Sequence, residues 1–160
     1  MLRTDSEDRL KDRMSERVAA MTKKVLFVCR GNSARSQMAE ALLRNVGRDA
    51  FDVYSAGTDP KASIHPLAVE TAAHYGLSME GQAPKDVEQF AGQHFDYVIS
   101  LCNPAKETCP ALKGTEHIDW SFTDPTEGPD DTAKEQAFIE VFRGLKRRID
   151  LFLTVTAGRK

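Results

Sequence analysis

The feature that most constrains the fold is a run of apolar residues that leads through a cysteine and a short polar loop into a helical pattern. Residues 25–28 are all apolar and directly precede Cys29, which is typical of a strand buried on both faces. After Arg35, apolar residues recur at helical spacing at Met38, Ala39, Leu42, Leu43 and Val46. A strand that passes directly into a helix predicts an α/β unit with residues 29–36 at the junction.

The junction between this strand and this helix is suited to bind an anion. Backbone N–H groups at a helix N-terminus have no partner within the helix, and the helix dipole adds partial positive charge. Arg35 adds a planar fork of donors that can hold two oxygens of a tetrahedral oxyanion. The predicted oxyanion-binding residues are Arg30, Gly31, Asn32, Ser33, Ala34 and Arg35.

The same field favours the thiolate of Cys29 over its thiol, and Ser36 is placed to donate its hydroxyl to that sulfur. We interpret the stretch as an active site in which Cys29 is the nucleophile. The alternative is that Cys29 is only a small buried hydrophobic residue at the end of a strand.

The rest of the chain alternates strands with helices. Strands are predicted at 51–57, 97–101 and 117–120, helices at 66–75 and around Phe138 to Phe152, and a helical turn at 86–90. This alternation implies right-handed crossovers and an α/β three-layer sandwich with a four-stranded parallel sheet. The third strand delivers Cys102 to the same edge of the sheet as Cys29, where open parallel sheets place their sites.

Composition narrows the function classes. The chain has 160 residues, 41% of them hydrophobic, and a formal net charge of −2, which predicts one soluble globular domain that binds no nucleic acid. No apolar run is long enough to span a bilayer, and three cysteines are an odd count, so we expect a cytoplasmic protein without a structural disulfide framework. No His/Cys cluster has metal-ligand spacing, so neither a metal nor a cofactor is predicted.

Two regions divide the chain. Residues 1–20 alternate acidic and basic side chains and are predicted to be an extension, either disordered or helical, with Leu10, Met14 and Val18 at helical spacing. Residues 21–160 are predicted to form a single catalytic domain.

Cys29, five intervening residues, Arg35 and Ser36 resemble the phosphate loop of the low-molecular-weight protein tyrosine phosphatases and their arsenate reductase relatives. Cys102 and Cys109 with the following Pro110, and then His117, Trp120, Phe122, Asp124 and Pro125, resemble the thioredoxin-coupled arsenate reductases. The resemblance covers the chain from about Lys23 to its C-terminus. It implies the low-molecular-weight phosphatase fold, with strand order 2-1-3-4.

The resemblance also implies a reaction, the reduction of arsenate to arsenite through a three-cysteine relay. In it Cys29 attacks arsenic, Arg35 and the loop hold the oxyanion, and Asp124 protonates the departing hydroxide. Cys102 then attacks Cys29 and releases arsenite, and Cys109 resolves the resulting disulfide. Thioredoxin or a similar dithiol protein regenerates the enzyme.

Alternatives remain open, because a loop that binds phosphate also binds arsenate. A low-molecular-weight protein tyrosine phosphatase would hydrolyse aryl phosphate esters through a cysteinyl-phosphate intermediate, and a non-catalytic sensor would bind an oxyanion without turnover. In the tyrosine phosphatases that the chain resembles, aromatic residues near the Asp-Pro pair help to hold the aryl group. Residues 126–128 here are not aromatic, so the resemblance favours a small inorganic substrate. Asp124 can also be read as a turn-forming residue before proline.

Some relatives bind a potassium ion near the loop. Asn32, Glu40 and Ser55 match that pattern, but Lys85 falls near the position of an expected carboxylate. The ion is therefore not predicted.

Overall fold

A computed structural model describes residues 5–102 and 114–157. This part of the chain contains four parallel strands and four α-helices. In chain order they are α1 (Asp5–Met21), β1 (Lys23–Cys29), α2 (Arg35–Gly47), β2 (Phe51–Gly57), α3 (Pro66–His74), β3 (Phe95–Ser100), β4 (Gly114–Asp119) and α4 (Asp131–Ala157). The strands are ordered β2-β1-β3-β4, and every pair is parallel. The predicted α/β fold and strand order are confirmed.

The central strand β1 is buried on both faces, as its continuous apolar run predicts. Val25 and Phe27 pack on one face into the larger hydrophobic core, which includes residues of α2, α3 and α4. Leu26 and Val28 pack on the other face into a smaller core that includes the short 3-10 helix Val87–Phe90. Layers on both faces therefore hold β1, and with it Cys29, in a fixed position.

The strand register places the carboxyl ends of the strands at one edge of the sheet. Cys29 at the end of β1 pairs with Gly57 at the end of β2. Val28 pairs with Ser100 of β3, and Ser100 pairs with Asp119 of β4. The loops that follow Cys29, Gly57, Ser100 and Asp119 therefore meet at this edge.

The predicted elements differ from the observed ones mainly at their ends. Strand β2 has the predicted bounds, whereas β3 begins at Phe95 and β4 at Gly114, before the apolar residues that marked them. Backbone pairing extends β4 into polar residues, which hydrophobicity does not show, and extends β3 past the polar Asp96 to the buried Phe95. Val46, part of the apolar pattern of α2, is exposed.

The N-terminal residues include the helix α1, Asp5–Met21, on which Leu10 and Met14 are exposed. The division into an extension and a catalytic domain stays a prediction. None of the helices in the described part of the chain has the length and apolarity that crossing a bilayer requires.

Candidate active site

The backbone of the loop after Cys29 is held from outside by the segment that follows β2. The carbonyl oxygens of Cys29, Arg30, Gly31 and Ser33 accept hydrogen bonds from the N–H groups of Thr58 (3.3 Å), Asp59 (2.9 Å), Lys61 (2.9 Å) and His65 (2.8 Å), respectively. In a planar trans peptide, the N–H points opposite to the carbonyl that precedes it. The N–H groups of the next residues, Arg30, Gly31, Asn32 and Ala34, therefore point into the loop, where they can bind an anion.

Gly57, for which the sequence predicted only a strand end, packs directly against this loop. A Cβ atom at this position would lie 2.5 Å from the Arg30 carbonyl oxygen and 3.0 Å from the Asn32 nitrogen. Both neighbours are backbone atoms of the loop, so they cannot move aside without changing its shape. This contact follows from the strand register that pairs Gly57 with Cys29, and the local sequence does not show that register.

The thiol of Cys29 is buried and lies beside the hydroxyl of Ser36. Their Sγ and Oγ atoms are 2.8 Å apart, and Asn32 Nδ2 donates to the same Oγ at 2.7 Å. Either atom of this pair can donate while Cys29 is a thiol, but a thiolate has no hydrogen, so Ser36 is then the donor to the sulfur. A donor aimed at the sulfur stabilises a thiolate relative to a thiol.

Asn32 gives the loop its sharp turn. Its φ of 47° lies in the left-handed region, which asparagine tolerates better than most residues. The side chain is fully buried, and its Oδ1 accepts the backbone N–H of Lys85 at 2.8 Å. The segment that precedes β3 therefore holds the loop through this hydrogen bond.

Arg35, the first residue of α2, is 3% exposed and is oriented by two backbone carbonyls. Its Nη1 donates to Phe122 O at 2.9 Å and to Leu101 O at 3.3 Å. These carbonyls follow β4 and β3, so the guanidinium joins three strand ends at the sheet edge. Arg35 lies at the end of the loop and in the cleft with Cys29, and its role in holding the oxyanion stays a prediction.

The sequence left open whether Asp124 faces the site as a proton donor or forms a turn before Pro125, and its side chain has contacts of both kinds. Its Oδ1 accepts from the backbone N–H of Thr126 at 3.0 Å and from the Thr126 hydroxyl at 2.7 Å, which is a turn-forming arrangement. Its Oδ2 lies 3.8 Å from Arg35 Nη2. The side chain also lines the same cleft as Cys29, so one oxygen shapes the turn while the carboxyl faces the site.

A cleft of about 430 Å³ opens over the loop. Beyond the predicted Cys29, Arg30, Gly31, Ser33, Ala34, Arg35 and Asp124, it is lined by Lys61, Ser63, Ile64, His65, Pro66, Thr126 and Glu127. Most of these additional residues belong to the segment between β2 and α3, whose N–H groups hold the loop carbonyls. His65 also caps α3, because its Nδ1 accepts the N–H of Leu67 at 3.1 Å.

The two cysteines that the structure describes differ in their state. Cys29 is a free thiol, whereas Cys102 is disulfide-bonded, and both are buried. Cys102 directly follows Leu101, whose carbonyl binds Arg35 at 3.3 Å, so it lies next to the site in the chain. Cys109 lies outside the described residues.

A second buried polar cluster lies behind the loop around Glu40, which is 1% exposed. Glu40 forms an ion pair with Arg44 at 2.9 Å and accepts from Ser55 Oγ at 2.7 Å, and Lys85 Nζ lies 3.9 Å away. Burial lowers the pKa of Lys85; Glu40 opposes this shift and Arg44 adds to it. Among the described residues, no group of three or more His, Cys, Asp or Glu side chains is arranged to hold a metal ion.

Comparison with known proteins places this geometry among related enzymes. The arsenate reductase of Halalkalibacterium halodurans is 38% identical over 136 residues, which are 82% of this chain and 96% of the relative. A solved structure described as an arsenate reductase in the phosphate binding state has a TM-score of 0.69 and 30% identity, covering 82% of this chain and 97% of that one. The Corynebacterium glutamicum thioredoxin-dependent arsenate reductase has a TM-score of 0.66 and 29% identity, covering 96% of this chain and 74% of that one.

The sequence model of the low molecular weight phosphotyrosine protein phosphatases matches residues 24–157. This range runs from β1 to the end of α4 and includes the loop, the cleft and the cluster behind them. Because the match spans most of the chain and the curated relative shares more than a third of its residues, the chain belongs to the low molecular weight phosphotyrosine protein phosphatase family.

Proposed function

We propose that this protein reduces arsenate to arsenite and is regenerated by thioredoxin or a similar dithiol protein. The observation that carries the proposal is a buried free thiol, Cys29, at the floor of a loop whose N–H groups point inward, with Arg35 and Asp124 in the same cleft. A tetrahedral oxyanion fits such a donor set. The related proteins named as arsenate reductases support the choice of substrate.

The first step uses the cleft itself. The Cys29 thiolate attacks arsenic(V), while the loop N–H groups and Arg35 hold the remaining oxygens. Asp124 gives a proton to the departing hydroxide, which leaves as water. Once the sulfur is a thiolate it can only accept, so Ser36, 2.8 Å away, donates to it and stabilises the attacking form.

The second step moves two electrons from sulfur to arsenic. Cys102 attacks the Cys29 sulfur and forms a disulfide with it, and arsenic leaves with the electron pair of the broken S–As bond as arsenite. Cys109 then attacks Cys102, which releases Cys29 as a thiolate and leaves a Cys102–Cys109 disulfide. A dithiol protein reduces that disulfide by thiol–disulfide exchange. A free Cys29 beside a disulfide-bonded Cys102 is the distribution expected after this transfer.

The walls of the cleft favour a small inorganic substrate over an aryl phosphate. Its described part is lined by the polar Lys61, Ser63, Thr126 and Glu127 and by the small or aliphatic Ala34, Ile64 and Pro66, and His65 supplies the one aromatic side chain among these residues. An aryl group gains most of its binding energy from apolar and aromatic contact. Hydrolysis of aryl phosphate esters is therefore the second candidate, supported by family membership and by the same Cys29, Arg35 and Asp124.

The proposed relay needs a compartment in which dithiol proteins are kept reduced. The cytoplasm meets that need, so we place the protein there as part of the proposal. A relay disulfide in such a compartment is a catalytic intermediate rather than a structural bridge.

The test measures arsenate-dependent NADPH oxidation with thioredoxin and thioredoxin reductase, set beside hydrolysis of an aryl phosphate by the same preparation. We expect sustained NADPH oxidation and slow hydrolysis. The proposal is wrong if aryl phosphate is turned over rapidly while arsenate causes no NADPH oxidation. Binding of phosphate without either turnover would indicate the sensor alternative.

Cysteine variants separate the two reactions further. Cys29→Ser should abolish both, because both need the nucleophile. Cys102→Ser and Cys109→Ser should abolish multiple-turnover arsenate reduction and leave aryl phosphate hydrolysis intact, because hydrolysis needs one thiol. Sustained, thioredoxin-dependent reduction by Cys109→Ser would exclude the relay.

A further inference from the structure

Gln37 is a fully buried polar residue in α2 to which the reaction described above gives no role. Its Nε2 lies 2.9 Å from the carbonyl oxygen of Asn32 and 3.0 Å from that of Ala83. Backbone carbonyls can only accept hydrogen bonds, so the atom that faces them is the amide nitrogen. Two backbone groups therefore fix the orientation of the Gln37 amide.

This orientation fixes that of Asn32 in turn. Gln37 Nε2 lies 3.1 Å from Asn32 Oδ1, and the backbone N–H of Lys85 donates to the same oxygen at 2.8 Å. Two donors converge on this atom, so it is the amide oxygen. The amide nitrogen of Asn32 must therefore face Ser36.

Ser36 links the oriented amide of Asn32 to the Cys29 sulfur. Asn32 Nδ2 donates to Ser36 Oγ, so the Ser36 hydrogen is available to a Cys29 thiolate, which can only accept. If the amide of Asn32 were reversed, its oxygen would compete with the sulfur for that hydrogen. Gln82 holds the other end of Gln37, because its Nε2 donates to Gln37 Oε1 at 2.8 Å.

We propose that Gln37 is a positioning residue for the nucleophile: its amide sets the direction of the hydrogen bonds that run through Asn32 and Ser36 to Cys29. The inference rests on the proposed role of Cys29 as the nucleophile. It extends that role to a residue that touches neither the thiol nor the cleft lining in the described part of the chain.

The test follows the alkylation of Cys29 as a function of pH in Gln37→Glu and Gln37→Met, with the Cys29 peptide quantified by mass spectrometry. A carboxylate has no hydrogen for Asn32 Oδ1 and repels it, which favours the reversed Asn32 amide. The alkylation midpoint should move up by about one pH unit, a tenfold loss of thiolate at lower pH. Methionine removes the Gln37 hydrogen bond without adding a repulsive charge, and the Lys85 N–H still donates to Asn32 Oδ1. The midpoint in Gln37→Met should therefore shift less than in Gln37→Glu, and in the same direction.

The decisive comparison repeats both substitutions in a Ser36→Ala background, with Gln89→Glu as the exposed control of equal charge change. Action through Ser36 predicts that neither substitution moves the midpoint further once Ser36 is replaced. The charged and titratable groups that line the cleft with Cys29 are the same in every variant: Arg30, Arg35, Lys61, His65, Asp124 and Glu127. Urea unfolding shows which variants are folded, and Gln37→Met carries the comparison if Gln37→Glu does not fold.

Equal shifts in the two backgrounds would overturn the proposal, because they would indicate a direct charge or packing effect. An unchanged midpoint in folded Gln37 variants would overturn it as well. Alkylation requires no arsenate, so this result is separate from the test of the proposed function. A protein that shows the coupling but reduces no arsenate would contradict the function alone.

Discussion

Nη2 of Arg35 lies 3.8 Å from Oδ2 of Asp124, although the two residues come from distant parts of the chain. The contact is reinforced by the backbone, since Arg35 Nη1 also binds the carbonyl of Phe122, two residues before Asp124. The group that would hold the oxygens of the substrate thus also positions the loop that carries the proposed acid. In the proposed mechanism, binding and proton transfer are therefore linked through one side chain.

Asp124→Asn should lower the single-turnover rate of arsenate reduction by about 100-fold, the lower end of the usual loss for a general acid. An asparagine Oδ1 can still accept the two Thr126 hydrogen bonds, so the turn should persist. Single-turnover kinetics with prereduced enzyme measure the step. The exposed Asp119→Asn, at the end of β4, serves as the control. Equal rates for Asp124→Asn and the unchanged protein would show that another group supplies the proton.

Gly57→Ala should weaken phosphate binding by roughly tenfold, which corresponds to about 1.4 kcal/mol. Its Cβ would lie 2.5 Å from the Arg30 carbonyl oxygen, so the loop must shift and its N–H groups with it. The displacement should also destabilise the fold by about 1–3 kcal/mol. Calorimetric titration with phosphate measures the first effect and urea unfolding the second.

Gly76→Ala is the matched control for that substitution. Gly76 follows α3 at a φ of 80°, so alanine there is strained without meeting a neighbouring atom. It should lower stability and leave phosphate affinity unchanged. If both glycine variants weaken phosphate binding equally, contact with the loop is not the cause.

Lys85→Met should remove a pH dependence of stability. The pKa of Lys85 is lowered below 10.5, chiefly by burial, so the unfolded chain binds the proton more readily than the folded one. Between the lowered pKa and 10.5, the free energy of unfolding therefore rises with pH, and below that window the folded state carries the full cost. Urea unfolding at a series of pH values in this window measures the slope. The exposed Lys23→Met should keep it, and an unchanged slope in Lys85→Met would contradict the assignment.

Removal of residues 1–20 should leave a folded protein with unchanged kinetic constants for arsenate. The loop is held by β1, which begins at Lys23, and by segments later in the chain. Leu10 and Met14 of the removed helix are exposed, so little apolar burial would be lost through them. Circular dichroism and steady-state kinetics check the result. A truncated protein that is unfolded or inactive would show that α1 belongs to the catalytic domain.

Residues that act locally were visible in the sequence. Cys29, Ser36 and Arg35 lie within eight positions of one another, and a strand-to-helix junction fixes their relation by itself. Asp124 was found because a proline follows it and the resemblance extends there. The observed cleft contains Cys29, Arg35 and Asp124 together.

Residues that act across the chain were not visible. Gly57 contacts the loop because of the strand register. The amide of Gln37 is oriented by the backbone carbonyl of Ala83, whose position the sequence pattern does not predict. Lys61 and His65 lie over the cleft because their N–H groups bind loop carbonyls, which any residue except proline could do. Such contacts depend on how a connecting segment folds back and have no signature in residue type.

The outward-facing carbonyls of the loop have a consequence for how this scaffold can change over time. Because its inward donors other than Arg35 are main-chain groups, substituting another loop side chain need not remove them, provided that the backbone keeps its path. Selection can therefore act on the rim residues and on the later cysteines while oxyanion affinity is inherited unchanged. A family with this loop can change from hydrolysis to electron transfer while its members continue to bind the oxyanion.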